Sequence, residues 1–290
     1  TASKLLEIEE QERIKKATHL NAISNQLSTL NFINFENQKV LLEHICEEAS
    51  KGLNIDRVGF WLYSETKLEL YNIYIKHKKV HNSVGELFKT NYPKYFNALE
   101  NEPIIIASNV FENATLEEFK DDYFIENNIK SLLDIPIYIS GKLFGVICFE
   151  EINEIKKWTN DEISFAKTIS DVIALAFESN KRKKAEVQLL YKNEVLGLFS
   201  KFTNKLIQKT SLDDVFDESL AQLTKLIKSD RICFYEYHKD TNRINQQFEW
   251  FADTNELNLN NPNYQNLDSE SLPEMFENLL QKKSFHLIVD

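Results

Sequence analysis

The chain has 290 residues, 42% of them hydrophobic and 12% aromatic, which is enough apolar material for about two ordinary domains. Its 34 Lys and Arg against 45 Asp and Glu leave a formal charge of −11, which repels phosphate backbones and anionic lipid and sets nucleic acid aside as a partner. No stretch approaches the roughly 18 apolar residues of a membrane span and the opening residues do not read as a signal peptide, so a cytoplasmic segment without membrane contact is expected. Six Gly and five Pro leave little material for glycine-rich phosphate cradles. The dispersed Cys46, Cys148 and Cys233 form neither a disulfide framework nor a Cys-x-x-Cys metal or redox motif.

A charged stretch from Glu7 to Lys16 precedes Leu20, Ile23, Leu27 and Leu30, spaced in steps of three and four, the period of a helix with a narrow apolar stripe. Residues 1–24 are read as an N-terminal signalling helix whose stripe suits the same helix of a second chain, with packing on the chain's own sheet as the alternative. Asp56-Arg57 introduces a strand through Val58, Phe60, Trp61 and Tyr63. Asn91 stands two residues before Pro93, placed to cap a helix whose proline falls in the unbonded first turn, and Ile104-Ile105-Ile106 is a further strand. Thr115-Leu116-Glu117-Glu118 has the capping-box pattern and predicts a helix ending near Asn127. Ser131 to Ile139 and Lys142 to Glu150 are β-rich runs joined by Ser140-Gly141 as a tight hairpin. Phe144, Val146 and Cys148 are expected on one face and Leu143, Ile147 and Phe149 on the other, in a sheet covered by helices on both sides. A second capping box, Thr159-Asn160-Asp161-Glu162, opens a helix with Ile163, Ala166, Ile169, Ile173, Ala176 and Phe177 at helical spacing. From Glu178 to Leu206 only Gly197 interrupts a run in which Val187, Tyr191, Val195, Leu198, Phe202 and Leu206 recur three or four residues apart, so residues 179–206 are read as a continuous linker helix, again suited to a homodimer.

The pattern then returns. Asp230-Arg231 precedes Ile232, Phe234, Tyr235 and Tyr237 at an offset of 230 − 56 = 174. Pro93, Phe96 and Leu99 recur as Pro273, Phe276 and Leu279 at 273 − 93 = 180, with Ser271 in the place of Asn91 and a run ending at Val289-Asp290 in the place of Ile104 to Ile106. This is an internal repeat. If Asp290 matches Asn109, the second copy lacks the counterpart of residues 110–178, hairpin included. The chain is then expected to be an excerpt of a longer one, with an open edge on the strand from Arg231 to Tyr237.

Several motifs taken in order look like a GAF domain. They are Asn91-Tyr92-Pro93-Lys94-Tyr95-Phe96, Ser131-Leu132-Leu133-Asp134-Ile135-Pro136-Ile137, the hairpin from Gly141 to Glu150, and Trp158-Thr159-Asn160-Asp161-Glu162. The resemblance covers residues 25–178 well and residues 207–290 as a second, incomplete copy. It implies an α+β fold, a GAF-like antiparallel sheet with helices on both faces, repeated twice and joined by the long helix. Arg182-Lys183-Lys184-Ala185-Glu186 is similar to the joining helices of bacterial sensor kinases and cyclases. That implies a non-catalytic input module, homodimeric through its N-terminal and linker helices, with an output domain elsewhere in the same chain.

Members of the resembled family bind different small molecules, and each class leaves residues to look for. The cyclic-nucleotide pattern lacks its lysine here, since Glu154 follows Asn153, and no cysteine sits on a pocket helix for covalent bilin, so the cofactor is unknown. Tyr92, Tyr95, Phe96, Tyr123 and Phe124 fall on the two helices that in GAF folds roof the pocket, and are candidates to line an apolar cavity for a flat molecule. Asp134, between Leu133 and Ile135 in a sheet expected to be covered on both faces, must find hydrogen bonds or water, supplied by a ligand or, if its face is partly open there, by solvent or a helix N-terminus. Asn109 and Cys148 complete the candidate ligand-binding set. His77 and His81 lie among lysines and read as a solvated loop, so no metal site is expected, and no nucleophile and base stand at motif spacing. The expected function is a sensory input module that binds a small ligand or relays a signal. The alternatives are a ligand-free dimerisation scaffold and a GAF-fold methionine sulfoxide reductase, the latter disfavoured by the dispersed cysteines.

Overall fold

A computed structural model describes residues 2–30, 38–208, 212–251, 265–268, 270, 273–281 and 283–284. The chain divides into two compact units, Thr1–Lys184 and Ala185–Asp290.

The first unit runs α1 (Ala2–Ser28), α2 (Gln38–Leu53), β1 (Arg57–Tyr63), β2 (Lys67–Ile75), β3 (Val80–Asn82), β4 (Glu86–Phe88), α3 (Pro93–Asn101), β5 (Ile105–Ala107), α4 (Tyr123–Glu126), β6 (Ile129–Ile139) and β7 (Lys142–Ile152). It closes with the start of α5 (Asn160–Ile207), a helix that continues into the second unit. Two 3-10 turns, Val110–Glu112 and Glu117–Phe119, lie between β5 and α4. The strands form one antiparallel sheet in the order β3-β2-β1-β7-β6-β5, with β4 also paired to β2. Residues on both faces of its central strands are apolar because both faces are covered. On one face Val58, Phe60, Leu133, Ile135, Ile147 and Phe149 pack against α1, α2 and the first turns of α5. On the other, Trp61, Leu132, Val146 and Cys148 pack against α3, α4 and the turns between them, which together form a roof.

Local chemistry sets the joints. Ser140 and Gly141 have φ of 52° and 75°, the left-handed pair that a two-residue hairpin turn requires. The second capping box forms as expected: Thr159 N–H donates to Glu162 Oε2 at 2.9 Å and Glu162 N–H to Thr159 Oγ1 at 3.3 Å. The same carboxylate, fully buried, takes Lys16 of α1 at 2.7 Å and Lys156 at 2.9 Å.

Four sequence expectations change. Leu20, Ile23 and Leu27 of α1 are buried against the first unit's own α2 and α5 core, so packing within the chain accounts for that stripe. Leu143 and Phe144 exchange faces, Phe144 packing with Phe60 and Phe177 and Leu143 with the roof cluster. The cause is a bulge, since Ile137 pairs with Gly145 but Tyr138 with Leu143, which leaves Phe144 extra. Asn91 does not cap α3. Tyr92 is the N-cap and makes no side-chain capping bond, while Glu118 accepts from the Lys94 and Tyr95 amides at 3.0 and 3.3 Å. Glu118 is therefore not free to close a capping box with Thr115, whose amide donates to Asn113 at 2.9 Å. The expected helix breaks into the 3-10 turn and the four-residue α4, capped by Asp122.

The second unit contains the rest of α5, α6 (Leu212–Ile227), β8 (Arg231–His238), β9 (Arg243–Phe251), β10 (Leu267–Asp268) and α7 (Pro273–Leu280), with sheet order β10-β9-β8 among the described residues. Four of its features fall at the offset of 174 from features of the first unit. α6 begins and ends at the positions of α2 plus 174, since 212 − 38 and 227 − 53 are both 174. The left-handed Asn54 recurs as Lys228, 228 − 54 = 174. The irregularity between Phe60 and Trp61 recurs between Phe234 and Tyr235, 234 − 60 = 174. Ser271 and the run ending at Val289-Asp290 lie outside the described residues.

If α1 belongs to the first unit's core, Leu27→Ala should cost about 2–5 kcal/mol in that unit. Ile14→Ala, at a position 55% exposed, should stay within about 0.5 kcal/mol. Denaturant unfolding of both variants measures the difference.

Candidate functional site

The central strands present a short series of polar side chains to the roof. On β6 and β7 the pairs Asp134↔Cys148 and Leu132↔Glu150 sit side by side, and Arg57 of β1 pairs with Glu150. Period-two alternation therefore puts Asp134, Cys148, Glu150 and Arg57 on one face. Above them stand Tyr95 of α3, Phe119 of the 3-10 turn, and Tyr123 and Phe124 of α4. With Trp61 and Leu87 at the margin they enclose a cavity of about 20 Å³, room for one water molecule.

The polar groups are wired across the roof. Tyr95 Oη donates to Asp134 Oδ2 at 2.5 Å, and Tyr123 Oη to Glu150 Oε1 at 2.9 Å. Arg57 Nε lies 3.2 Å from Glu150 Oε2 in an ion pair whose two side chains are only 8% and 3% exposed, and Arg57 Nη2 donates to Tyr123 Oη at 3.5 Å. Asp134 is fully buried, and its Oδ1 has no hydrogen-bond partner among the described residues. Burial pushes its carboxyl up to about 7, against a smaller lowering by the Tyr95 hydroxyl and the Cys148 thiol beside it. Burial first, then the neighbouring carboxyls, hold the Cys148 thiol far above its ordinary value, so it is a protonated wall residue and not a reactive thiolate. Tyr95 and Tyr123 are raised mainly by burial in the same way, which keeps both phenols as donors. Tyr95 is positioned by its own helix terminus, through the Glu118 cap described above.

Of the residues singled out in the sequence, Tyr95, Tyr123, Phe124, Asp134 and Cys148 converge on this cavity. Phe96 is buried beside it in the roof core, against Tyr63. Tyr92 lies outside the cavity, stacked on Phe119 at 4.2 Å with its hydroxyl donating to Asp122 at 3.1 Å. Asn109 is also elsewhere. Its Oδ1 accepts from Phe111 N–H and its Nδ2 donates to Glu112, so it caps the first 3-10 turn. The open apolar cavity expected for a flat molecule is largely filled by the aromatic rings themselves. Arg57 and Glu150 were not singled out as site residues, although Arg57 was visible as the mark of the repeat and Glu150 follows Cys148 by two on a strand, hence on the same face. His81 is not in a solvated loop but on β3, with Nδ1 3.1 Å from Asn72 Oδ1 and Nε2 3.1 Å from Glu47 Oε1.

Residues 38–177 match the sequence model of the GAF domain. No curated protein matches the chain. Among solved structures, the photosensory core module of the Stigmatella aurantiaca phytochrome is 12% identical over 79% of this chain and 48% of its own, with a TM-score of 0.50. The chain thus spans about half of that module, and the likeness shows the fold alone. The GAF domain of a two-component sensor histidine kinase from Bacillus halodurans is 23% identical over 49% of this chain and 97% of its own, with a TM-score of 0.40. The blue-light absorbing PixJ GAF domain of Thermosynechococcus elongatus is 16% identical over 52% and 91%, with a TM-score of 0.45.

The buried carboxyl makes stability depend on pH in a defined direction. Asp134 titrates near its ordinary value of 3.8 when unfolded and at about 7 when folded, so between those values the unfolded state loses the proton first. Its contribution is therefore fully present below about pH 4, falls as pH rises towards 7, and is level above. Asp134→Asn should remove this component, roughly 4 kcal/mol across the window, when unfolding of wild type and variant is compared from pH 4 to 8. Tyr95→Phe, which leaves Asp134 Oδ2 without its donor, should cost about 1–3 kcal/mol.

Proposed function

With a GAF domain across residues 38–177 as the premise, we propose that this chain is the sensory input region of a signalling protein, in which occupancy of the cavity under α3 sets the state of α5. GAF domains are signalling and sensory input modules. The observation that carries the reading is Asp134, a fully buried carboxyl bound to the roof through the Tyr95 hydroxyl, whose Oδ1 has no hydrogen-bond partner among the described residues. Buried acceptors are ordinarily satisfied, so this oxygen marks a place where a ligand or a trapped water can bind.

The sheet supplies a route for the signal. Asp134 and Cys148 face the cavity, while their neighbours Leu133, Ile135, Ile147 and Phe149 face the helical side, in one core with Phe165, Ile169 and Ile173 of α5. A shift of the strands under the cavity is thereby also a shift under α5. In this reading α5 carries that change onward, residues 207–290 are a second GAF copy, and the output is a kinase or cyclase domain of the same cytoplasmic chain, with no chemistry performed by these residues. The dimer is assigned to the exposed apolar residues of α5, among them Val187, Leu189, Leu190 and Tyr191, which are 47–59% exposed. The small cavity volume favours one second reading, a ligand-free dimerisation scaffold.

Mass spectrometry of what denatured, freshly purified protein releases separates the two. The sensor reading expects a near-stoichiometric small molecule, absent from Asp134→Asn; release of nothing from either favours the scaffold. For the dimer, sedimentation at tens of micromolar should show two chains, and Leu190→Asp should shift the equilibrium to monomer with the first unit still folded. A wild-type monomer at that concentration would remove the dimer from the account.

A further inference from the structure

The cavity's charge and its hydrogen-bond inventory point to one class of ligand. Two carboxyls, Asp134 and Glu150, are fully buried there with one guanidinium, and Arg57 is committed to Glu150 at 3.2 Å. Ionised Asp134 is therefore the charge without a counterpart. The two phenols at the site already aim their hydrogens at the carboxyls, Tyr95 at Asp134 Oδ2 and Tyr123 at Glu150 Oε1, whereas Asp134 Oδ1 accepts no hydrogen bond from the described residues. An entering carboxylate or phosphate would meet an excess of negative charge, with both phenol hydrogens already given to carboxyls and the one guanidinium paired with Glu150. A group bearing N–H bonds meets a vacant lone pair, and a cationic one neutralises the site. The walls are the flat faces and edges of Trp61, Phe119 and Phe124, which suit a planar group and reward a cationic one.

We propose that this site recognises its ligand through a planar, positively charged N–H group of the amidine or guanidine type and rejects anionic ligands; the inference rests on reading the cavity as a ligand site. An amidinium presents two parallel N–H bonds to a carboxylate. One takes Asp134 Oδ1, and the other takes Oδ2 in place of the Tyr95 hydroxyl. The cavity of about 20 Å³ is too small for such a group with Tyr95 seated, so entry and release of Tyr95 are a single event. That release removes one of the bonds between α3 and the sheet and leaves Tyr63 to Glu100 and Tyr138 to Leu99 in place. Binding requires the carboxylate form, so a proton leaves Asp134 for solvent as the cation arrives, and ligand and proton compete for the same oxygens.

Acetamidinium and acetate form a matched probe pair, planar and of four heavy atoms each, with opposite charge. The full chain, labelled with 15N, is titrated with acetamidinium chloride and with sodium acetate at constant ionic strength, and the amide shifts of Asp134 and Cys148 are followed. Acetamidinium should bind and acetate should not. Since Asp134 is pushed up to about 7, raising the pH from 6 to 8 should tighten the acetamidinium Kd by roughly tenfold. Asp134→Asn should weaken it by tenfold or more. At pH 8 and above, where Asp134 is ionised, Tyr95→Phe should keep or improve binding, because the competing hydroxyl is gone, and it tests the idea even if Asp134→Asn fails to fold. Binding of acetate instead would overturn the ligand class while leaving a ligand site in place. Acetamidinium binding that is indifferent to pH would overturn Asp134 as its partner, and shifts from neither probe would overturn the class, the cavity then holding a trapped water only. The mass-spectrometric release experiment judges the ligand-site reading separately.

Discussion

A carboxyl group in the middle of a sheet covered on both sides is the constraint around which the first unit is arranged. Burying Asp134 with its charge would cost several kcal/mol without a partner, and the guanidinium at the site, Arg57, is held by Glu150. The fold answers with a hydroxyl from above. Tyr95 reaches the carboxyl only because α3 is set at a fixed height, and that height is fixed by Glu118, which caps α3 from a turn more than twenty residues later. The roof is thus tied to itself by the Glu118 cap and by the Tyr92 and Phe119 stack, and to the sheet by three phenol to carboxyl bonds, Tyr95 to Asp134, Tyr123 to Glu150 and Tyr63 to Glu100.

The same alternation that buries Asp134 makes the sheet a two-sided device. Along β6 and β7 every second residue serves the cavity and the intervening ones serve the α1, α2 and α5 layer. The far layer is fastened by another buried carboxylate, Glu162, which completes the capping box of α5 and takes a lysine from α1. The two carboxyls differ in kind. Glu162 is held below the ordinary range, the lysine and backbone bonds outweighing its burial, and is a fixed joint. Asp134, raised by burial and short of one partner, is the joint that a proton or a cation can change.

Much of this was legible in the sequence wherever one local rule governed. Period-two runs around Ser140-Gly141, the Thr159 to Glu162 box and the helical spacing from Ile163 to Phe177 each gave the right element, and the offset of 174 picked out a correspondence that extends to a left-handed residue and a strand irregularity. What escaped depended on contacts between segments far apart. Asn91 and Thr115 looked like caps until Glu118 was seen to serve α3. The face of Phe144 turned on a bulge that alternation cannot reveal. Asp134 stood out because it was a charge among apolar neighbours. Glu150, at the end of its run, showed no such contrast, and its role depends on Arg57 more than ninety residues earlier. Asn109 was assigned to the site by its place in the chain, whereas its short side chain is consumed by its own turn.

The account rests on Asp134 being a carboxyl poised between its two protonation states inside the fold. Side-chain 13C NMR of protein labelled at aspartate carboxyls, with Asp134 assigned by its absence in Asp134→Asn, reads that state directly. The account predicts one carboxyl titrating near pH 7, about three pH units above an ordinary aspartate, with an upward displacement in Tyr95→Phe as the charged form loses its donor. A carboxyl that titrates near pH 4 in both proteins would place Asp134 in contact with water, and would contradict the buried, half-satisfied site on which the functional reading depends.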